Sequence, residues 1–484
     1  MGTSEQNHGA FHRCLFGISI ILESFIIFFF SGCMATRMSA HAGSQGFIEI
    51  SPDGFGFRDA ESKAPFVPIG VNYDHDWHDR LLEDYWNTEW RKVEEDFKEI
   101  AGLGFNTVRI HIQFGKFMLG PDAIDGTAFA NLDKIIALAG RLGLHLDITG
   151  LGFYRKEDTP KWYLEMNDEE MQRAQASFWS HIAKRYANEP AIFCFDLQNE
   201  PVIAVEDTSE IVGPPFEDGF HYVNLLGRDV RPKWTSWIRE KYGNETELKR
   251  RWRDFPKHGE GFDNLLLPAI LDRERNEDMI DFAHDKAKQW ARQMRDSIRA
   301  HDRNHLITIG LTQWSLPFDD VYSSFAPQII GEYVDFISIH IHLSGADKNS
   351  NYTDSVMALR AAYVGKPVVL EEFSFLVPKE ARERFINKTL RSASGYFGYY
   401  WGKTPSESIL EGSIKASIAA DSIERLVRLS EDLKGIPLQR RKGDQTIRAS
   451  IKTLRLQKEE REKLKSLFAS IDASGKIADI EIIP

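Results

Sequence analysis

The chain has 484 residues, 42% hydrophobic and 27% charged, with 72 acidic against 60 basic side chains and a formal net charge of −12. The acidic excess argues against a nucleic-acid binder, and the ordinary apolar fraction argues against a disordered chain. Its only cysteines are Cys14, Cys33 and Cys194, too few for a disulfide framework, so stability has to come from a large core.

His12 and Arg13 precede an apolar run over 14–30, broken only by Glu23 and two serines. That is the length of a signal-peptide core or a short membrane span. Phe30-Ser31-Gly32-Cys33 has the form of a lipoprotein cleavage box with Cys33 as lipid acceptor, and Ala40-His41-Ala42 offers an ordinary signal-peptidase site. Residues 1–42 are expected to be an export leader, which makes the protein secreted or a membrane-anchored lipoprotein.

Asp53-Gly54, between apolar residues 47–50 and 55–58, signals a hairpin. Strands and amphipathic helices then alternate. The strands are predicted at 66–71, 106–112, 144–148, 191–196, 306–311, 334–341, 367–370 and 396–401. Helices are predicted at 90–103, where Val93, Phe97 and Ile100 share a face, at 132–142 before Gly143, and at 168–186. The last of these is opened by Asn167 and Glu170 in a capping box. Further helices are expected at 279–300, 355–363 and 379–390, with a closing helix at 414–433. Eight strands, nearly all followed by a helix, make the element count of an α/β fold, a (β/α)8 TIM barrel over 43–436. Residues 202–268 read as a large insertion after the fourth strand, rich in aromatics. Trp234, Trp237 and Tyr242, at helical spacing, are expected to pack inside it. Residues 437–484 read as a charged, solvated helical C-terminal extension.

The fourth strand delivers Asn199 and Glu200 to its tip, where Pro201 must end the ladder. The seventh runs into Glu371-Glu372-Phe373. In a parallel barrel these strand tips form the active-site face. Arg109, His340, His342 and Trp401 fall at other strand ends, and Trp77 and Trp314 are further candidate sugar-stacking rings. Two carboxyl groups on separate strands, with an arginine and histidines beside them, suit glycoside hydrolysis by double displacement. Adjacent strand residues point to opposite sides, so Glu371 is expected to face the barrel wall or a neighbouring loop, where it could pair with a basic group, when Glu372 faces the sugar.

Asn199-Glu200-Pro201 together with Lys366–Phe373 (KPVVLEEF) resembles the clan A retaining glycoside hydrolases, particularly family 5, the cellulase and mannanase family. The likeness runs from about Phe66 to about Thr404. It implies Glu200 as general acid/base and Glu372 as nucleophile, with Arg109 binding the nucleophile and Asn199 binding the sugar 2-hydroxyl. It also implies substrate contacts from His340 and Trp401, no cofactor or metal, and a β-linked oligo- or polysaccharide as partner. Family members often carry His-x-Tyr on the sixth strand, where this chain has His340-Ile341-His342. Two rival readings stand beside it. A metal-dependent barrel hydrolase would use His340, His342 and the acidic, His-rich segment 74–79, and a carbohydrate-binding barrel would lack catalysis.

Overall fold

The computed structural model describes residues 45–203 apart from Trp77 and Asp79, then 230–268, 273–315, 323–342, 366–374 and 393–401, together with Phe385, Ile386 and Thr389. The expected leader, the C-terminal extension and the helices at 355–363 and 414–433 lie outside these residues, as do most of the helix at 379–390 and residues 204–229 of the insertion. Among the described residues no helix is long and apolar enough to cross a membrane.

Strands β1 (Ile48–Ile50), β2 (Phe57–Asp59) and β3 (Pro65–Phe66) form a small antiparallel sheet around the expected hairpin. Eight parallel strands follow: β4 (Ile69–Tyr73), β5 (Thr107–Gln113), β6 (His145–Gly152), β7 (Ile192–Asn199), β8 (Leu306–Leu311), β9 (Ile337–Ile341), β10 (Val368–Ser374) and β11 (Gly395–Tyr399). Each bonds to the next and β11 returns to β4, closing the barrel that the alternating pattern predicts. Buried on both faces, the strands carry continuous apolar stretches, and every residue of β5 and β6 is buried.

Two predicted strand starts are corrected. The run at 66–71 divides at Pro68, which has no N–H to continue a ladder: Phe66 joins the small sheet and Ile69 starts the barrel. The sixth barrel strand begins at Ile337 rather than 334; ahead of it the Asp335 carboxylate accepts from Ile307 N at 2.7 Å.

Helix α1 (Trp90–Gly102) buries Val93, Phe97 and Ile100. Helix α2 (Gly126–Leu142) starts well before its apolar pattern because Asp125 caps Thr127 N and Ala128 N. It ends at Gly143, whose φ of 70° suits glycine. Helix α3 (Asp168–Tyr186) has the Asn167–Glu170 capping box. Between β7 and β8 come α4 (Val230–Tyr242), α5 (Glu245–Arg251) and α6 (Arg273–Arg299). The insertion's aromatics pack on one another: Trp234 stacks on Trp237 at 6.0 Å and on Trp252 at 5.9 Å. Asp278 anchors the group, accepting from Trp252 Nε1, Lys241 Nζ and Tyr242 Oη.

Candidate active site

Arg109 is the centre of the polar end of the barrel. It stands on β5 opposite Asn72 on β4 and Asp147 on β6, and its side chain is fully buried. Nη1 donates to Glu372 Oε1 at 2.6 Å and Asn72 Oδ1 at 2.9 Å; Nη2 donates to Asp196 Oδ2 at 2.7 Å and Asn199 Oδ1 at 2.9 Å. Asn72 is itself held by donating to the main-chain oxygens of Glu371 and Gly398. A buried charge persists only when paired and hydrogen-bonded, and these contacts provide both.

The expectation for Glu371 is corrected. The register of β10 against both neighbours shifts at this point, so the strand bulges and simple alternation fails. Glu371 lies inside with Glu372: its Oε2 is 3.6 Å from Arg109 Nη2 and 3.1 Å from His340 Nε2. Burial would raise the pKa of Glu371, but Arg109 and His340 hold it down at about 2. Burial likewise opposes ionisation of Glu372, and the charge of His340, the contact with His342 and Arg109 overcome it, keeping this carboxyl well below its ordinary value.

His340 sits between carboxylates, with Nδ1 2.9 Å from Glu200 Oε1 and 3.6 Å from Glu372 Oε1. Burial disfavours its charge, yet Glu372 first, then Glu200 and Glu371, push it up to about 10. His342 places Nε2 3.3 Å from Glu372 Oε2, and its side chain is 40% exposed. Glu200 takes a φ of 46°, a region that non-glycine residues seldom occupy, and its N–H donates to Gly310 O at 2.8 Å. One oxygen of Glu200, one of Glu372 and a ring nitrogen of His340 lie within 4.8 Å of one another.

The structure thus gathers Arg109, Asn199, Glu200, His340, His342 and Glu372, and it does not bring Trp401 to their side. Trp401 is 1% exposed and its Nε1 donates to Asp96 Oδ1 at 3.1 Å, so it is a wall residue and not a stacking platform. Strand β11 ends at Tyr399, and this half-buried ring meets His342 edge-on at 5.5 Å. Trp77 lies outside the described residues; Trp314 falls in the one-turn helix Gln313–Ser315, its side chain likewise outside them. Sequence reasoning also missed His111, two residues after Arg109 and therefore on the same strand face. His111 Nδ1 is 2.5 Å from Tyr154 Oη, and burial, then the charge of Arg109, lower its pKa to about 3.

Two clusters among the described residues gather three ligand-type atoms: Glu200, His340 and Glu372, and Asp147, Asp196 and Glu371. Neither fits a cation well. The guanidinium of Arg109 already faces members of both and would repel a second cation there.

The Cellulase (glycosyl hydrolase family 5) model matches residues 63–213, and a second glycosyl hydrolase family model, Beta-galactosidase, matches residues 154–374. Both spans contain Asn199 and Glu200, and the second closes just past Glu372. Over these spans the chain is similar to glycosyl hydrolases. Cellodextrinase A of Ruminococcus flavefaciens is 28% identical over 112 residues, 22% of this chain and 32% of that protein. The chain therefore matches about a third of the length of this curated relative. Among solved structures, an exo-beta-1,4-mannosidase from Opitutaceae bacterium strain TAV5 superposes with a TM-score of 0.50 at 18% identity, over 81% of this chain and 63% of the other. A beta-galactosidase from a Rahnella species gives 0.55 at 13% identity, over 77% and 57%. At such identities the likeness is one of fold.

Proposed function

We propose that this protein hydrolyses β-glycosidic bonds in an oligo- or polysaccharide by a retaining double displacement. The observation that carries the reading is the approach of the β7-tip and β10 carboxyl groups to within 4.8 Å at their nearer oxygens, with Arg109 bonded to Glu372 and not to Glu200. Retaining enzymes keep their two carboxyl groups about 5–5.5 Å apart, and inverting ones about 6.5–9.5 Å. Arg109 and the imidazolium of His340 favour an ionised Glu372, as a nucleophile needs. Its Oε2, on the side of the half-exposed His342, is the oxygen we assign to attack.

In the first step Glu372 bonds to the anomeric carbon as the bond to the leaving oxygen breaks, and that oxygen takes the proton of Glu200. In the second, water attacks the same carbon, Glu200 removes its proton, and the bond to Glu372 breaks. Asn199, whose Oδ1 is occupied by Arg109, has its amide N–H groups left for a sugar hydroxyl. Tyr399 takes the stacking role that the sequence suggested for Trp401.

The test is hydrolysis of gluco-, manno- and galacto-configured β-linked oligosaccharides, with the first-formed anomer read by proton NMR. Net retention is expected, and inversion would refute the mechanism. Chelation should leave the rate unchanged; loss of activity restored by zinc would favour a metal hydrolase. We also read residues 1–42 as an export leader. Incorporation of labelled palmitate that is lost in Cys33→Ala would identify the lipoprotein route, and release of a chain starting at Gly43 would identify the other.

A further inference from the structure

Both ring nitrogens of a buried imidazole are committed to carboxylates from different strands: His340 Nε2 to Glu371 Oε2 at 3.1 Å and Nδ1 to Glu200 Oε1 at 2.9 Å. We propose that Glu371 is a positioning residue that holds His340 through Nε2–H, so that Nδ1–H is presented to Glu200 Oε1 and meets the carboxylate that forms there, beside the nucleophile. The proposal rests on the reading of Glu200 as the acid/base.

The geometry is over-determined. The bulge in β10 is what turns Glu371 inward, and Gly310 on β8 leaves room for the contact. A Cβ at Gly310 would stand 2.8 Å from His340 Nε2, 2.9 Å from Arg109 Nη2 and 2.9 Å from Glu371 Oε2. Charged and titratable groups face His340 from every side: Glu371 and Glu372 on β10, Glu200 at the end of β7, and Arg109 and His111 on β5. Beneath Glu371 lie Asp147 on β6 and Asp196 on β7. Burial, then the charge of Glu371, drive the pKa of Asp147 well up. Burial and the charge of Glu371 also raise Asp196, to about 6. Glu371, held at about 2, is the permanently ionised member. A carboxylate can only accept a hydrogen bond, so the nitrogen facing it must carry the proton. This is the logic by which a buried acid orients an imidazole that then serves a reacting group. When the leaving oxygen takes the proton of Glu200, the new carboxylate is met by Nδ1–H. When water is deprotonated, the proton returns to Glu200. His340 keeps both its protons throughout: Nδ1–H only stabilises the Glu200 carboxylate between the two steps.

The experiment uses the full chain and its Glu371→Gln variant. Ring nitrogen NMR on histidine-labelled, unligated protein identifies His340 by the signal lost in His340→Gln. In the wild type both nitrogens should be protonated at pH 8; a neutral His340 there overturns the proposal without any variant. In Glu371→Gln the titration midpoint of His340 should fall by about one pH unit or more. The alkaline limb of kcat/KM for 4-nitrophenyl β-glycosides should move down with it. For 2,4-dinitrophenyl glycosides, which leave without a proton, the loss of kcat/KM should be at least about tenfold smaller than for the 4-nitrophenyl glycosides. An unmoved midpoint, or equal losses on both substrates with unchanged pH profiles, would make Glu371 a merely structural residue. Because the NMR needs no substrate, a shifted midpoint in a protein that cleaves no glycoside would uphold the coupling of Glu371 to His340 and refute the glycosidase reading.

Discussion

The two ends of the same barrel strands are built on opposite principles. At the N-terminal end the small sheet seats Phe57 edge-on against Phe193 of β7 and Phe336 ahead of β9, at 5.1 and 5.3 Å, in a cluster with Leu306, Val369 and Phe397. No side chain of that cluster is charged, and each ring is stable in the company of any apolar neighbour of similar size. A few residues further along β7 and β10 the interior turns ionic: Asp196, Glu371 and Glu372 surround Arg109 and His340. There each group is stable only because a specific partner is present. The apolar end holds the strands in register, and the ionic end uses that rigidity to keep charges where solvent would scatter them.

The sharpest break between the ends should appear in turnover. Glu372→Ala is expected to lower kcat on the order of 10⁴-fold, with azide restoring turnover of an activated aryl glycoside as the inverted product. Phe193→Ala should leave kcat per folded molecule nearly unchanged. In stability the ends should look alike: urea unfolding should show a loss of about 3–5 kcal/mol for Phe193→Ala through its cavity, and about 3–5 kcal/mol for Arg109→Met through its stranded carboxylates. Gly310→Ala should cost less, about 1–3 kcal/mol by overpacking, while reducing kcat at least about tenfold because its methyl displaces His340, Arg109 and Glu371 together.

Stability should also depend on pH. His340 is raised from 6.5 to about 10 on folding, so its contribution is full below pH 6.5 and lost as the pH rises through about 10. Glu371 is lowered from 4.5 to about 2, so its contribution is full above pH 4.5 and lost as the pH falls through about 2. The gap in urea midpoint between wild type and His340→Gln should be widest near pH 6 and close toward pH 10. The gap for Phe193→Ala should not change; a parallel change in both would mean that the ionic end is not the titrating one.

The same contrast explains what could be read from the sequence. Parallel strands buried on both faces announce themselves as apolar runs, so all eight were visible, and the polar residues ending those at Asn199 and Glu372 marked the functional face. Periodicity is blind to one-residue departures from regular geometry. The bulge at Glu371 put two adjacent acids on one side, Pro68 divided a continuous apolar run, and the end of β11 at Tyr399 left Trp401 in the wall. Two signals were available and unused: His111 stands two residues beyond Arg109, and a glycine inside the strand 306–311 marks a close approach.

The central claim is that Glu372, and not its equally buried neighbour Glu371, forms the bond to sugar. The most direct measurement is covalent trapping with 2-deoxy-2-fluoro glycosyl fluorides of gluco, manno and galacto configuration, followed by peptide mass spectrometry. The account predicts one glycosyl group per chain, carried on Glu372 and absent from Glu372→Gln. A label on Glu371 would contradict it.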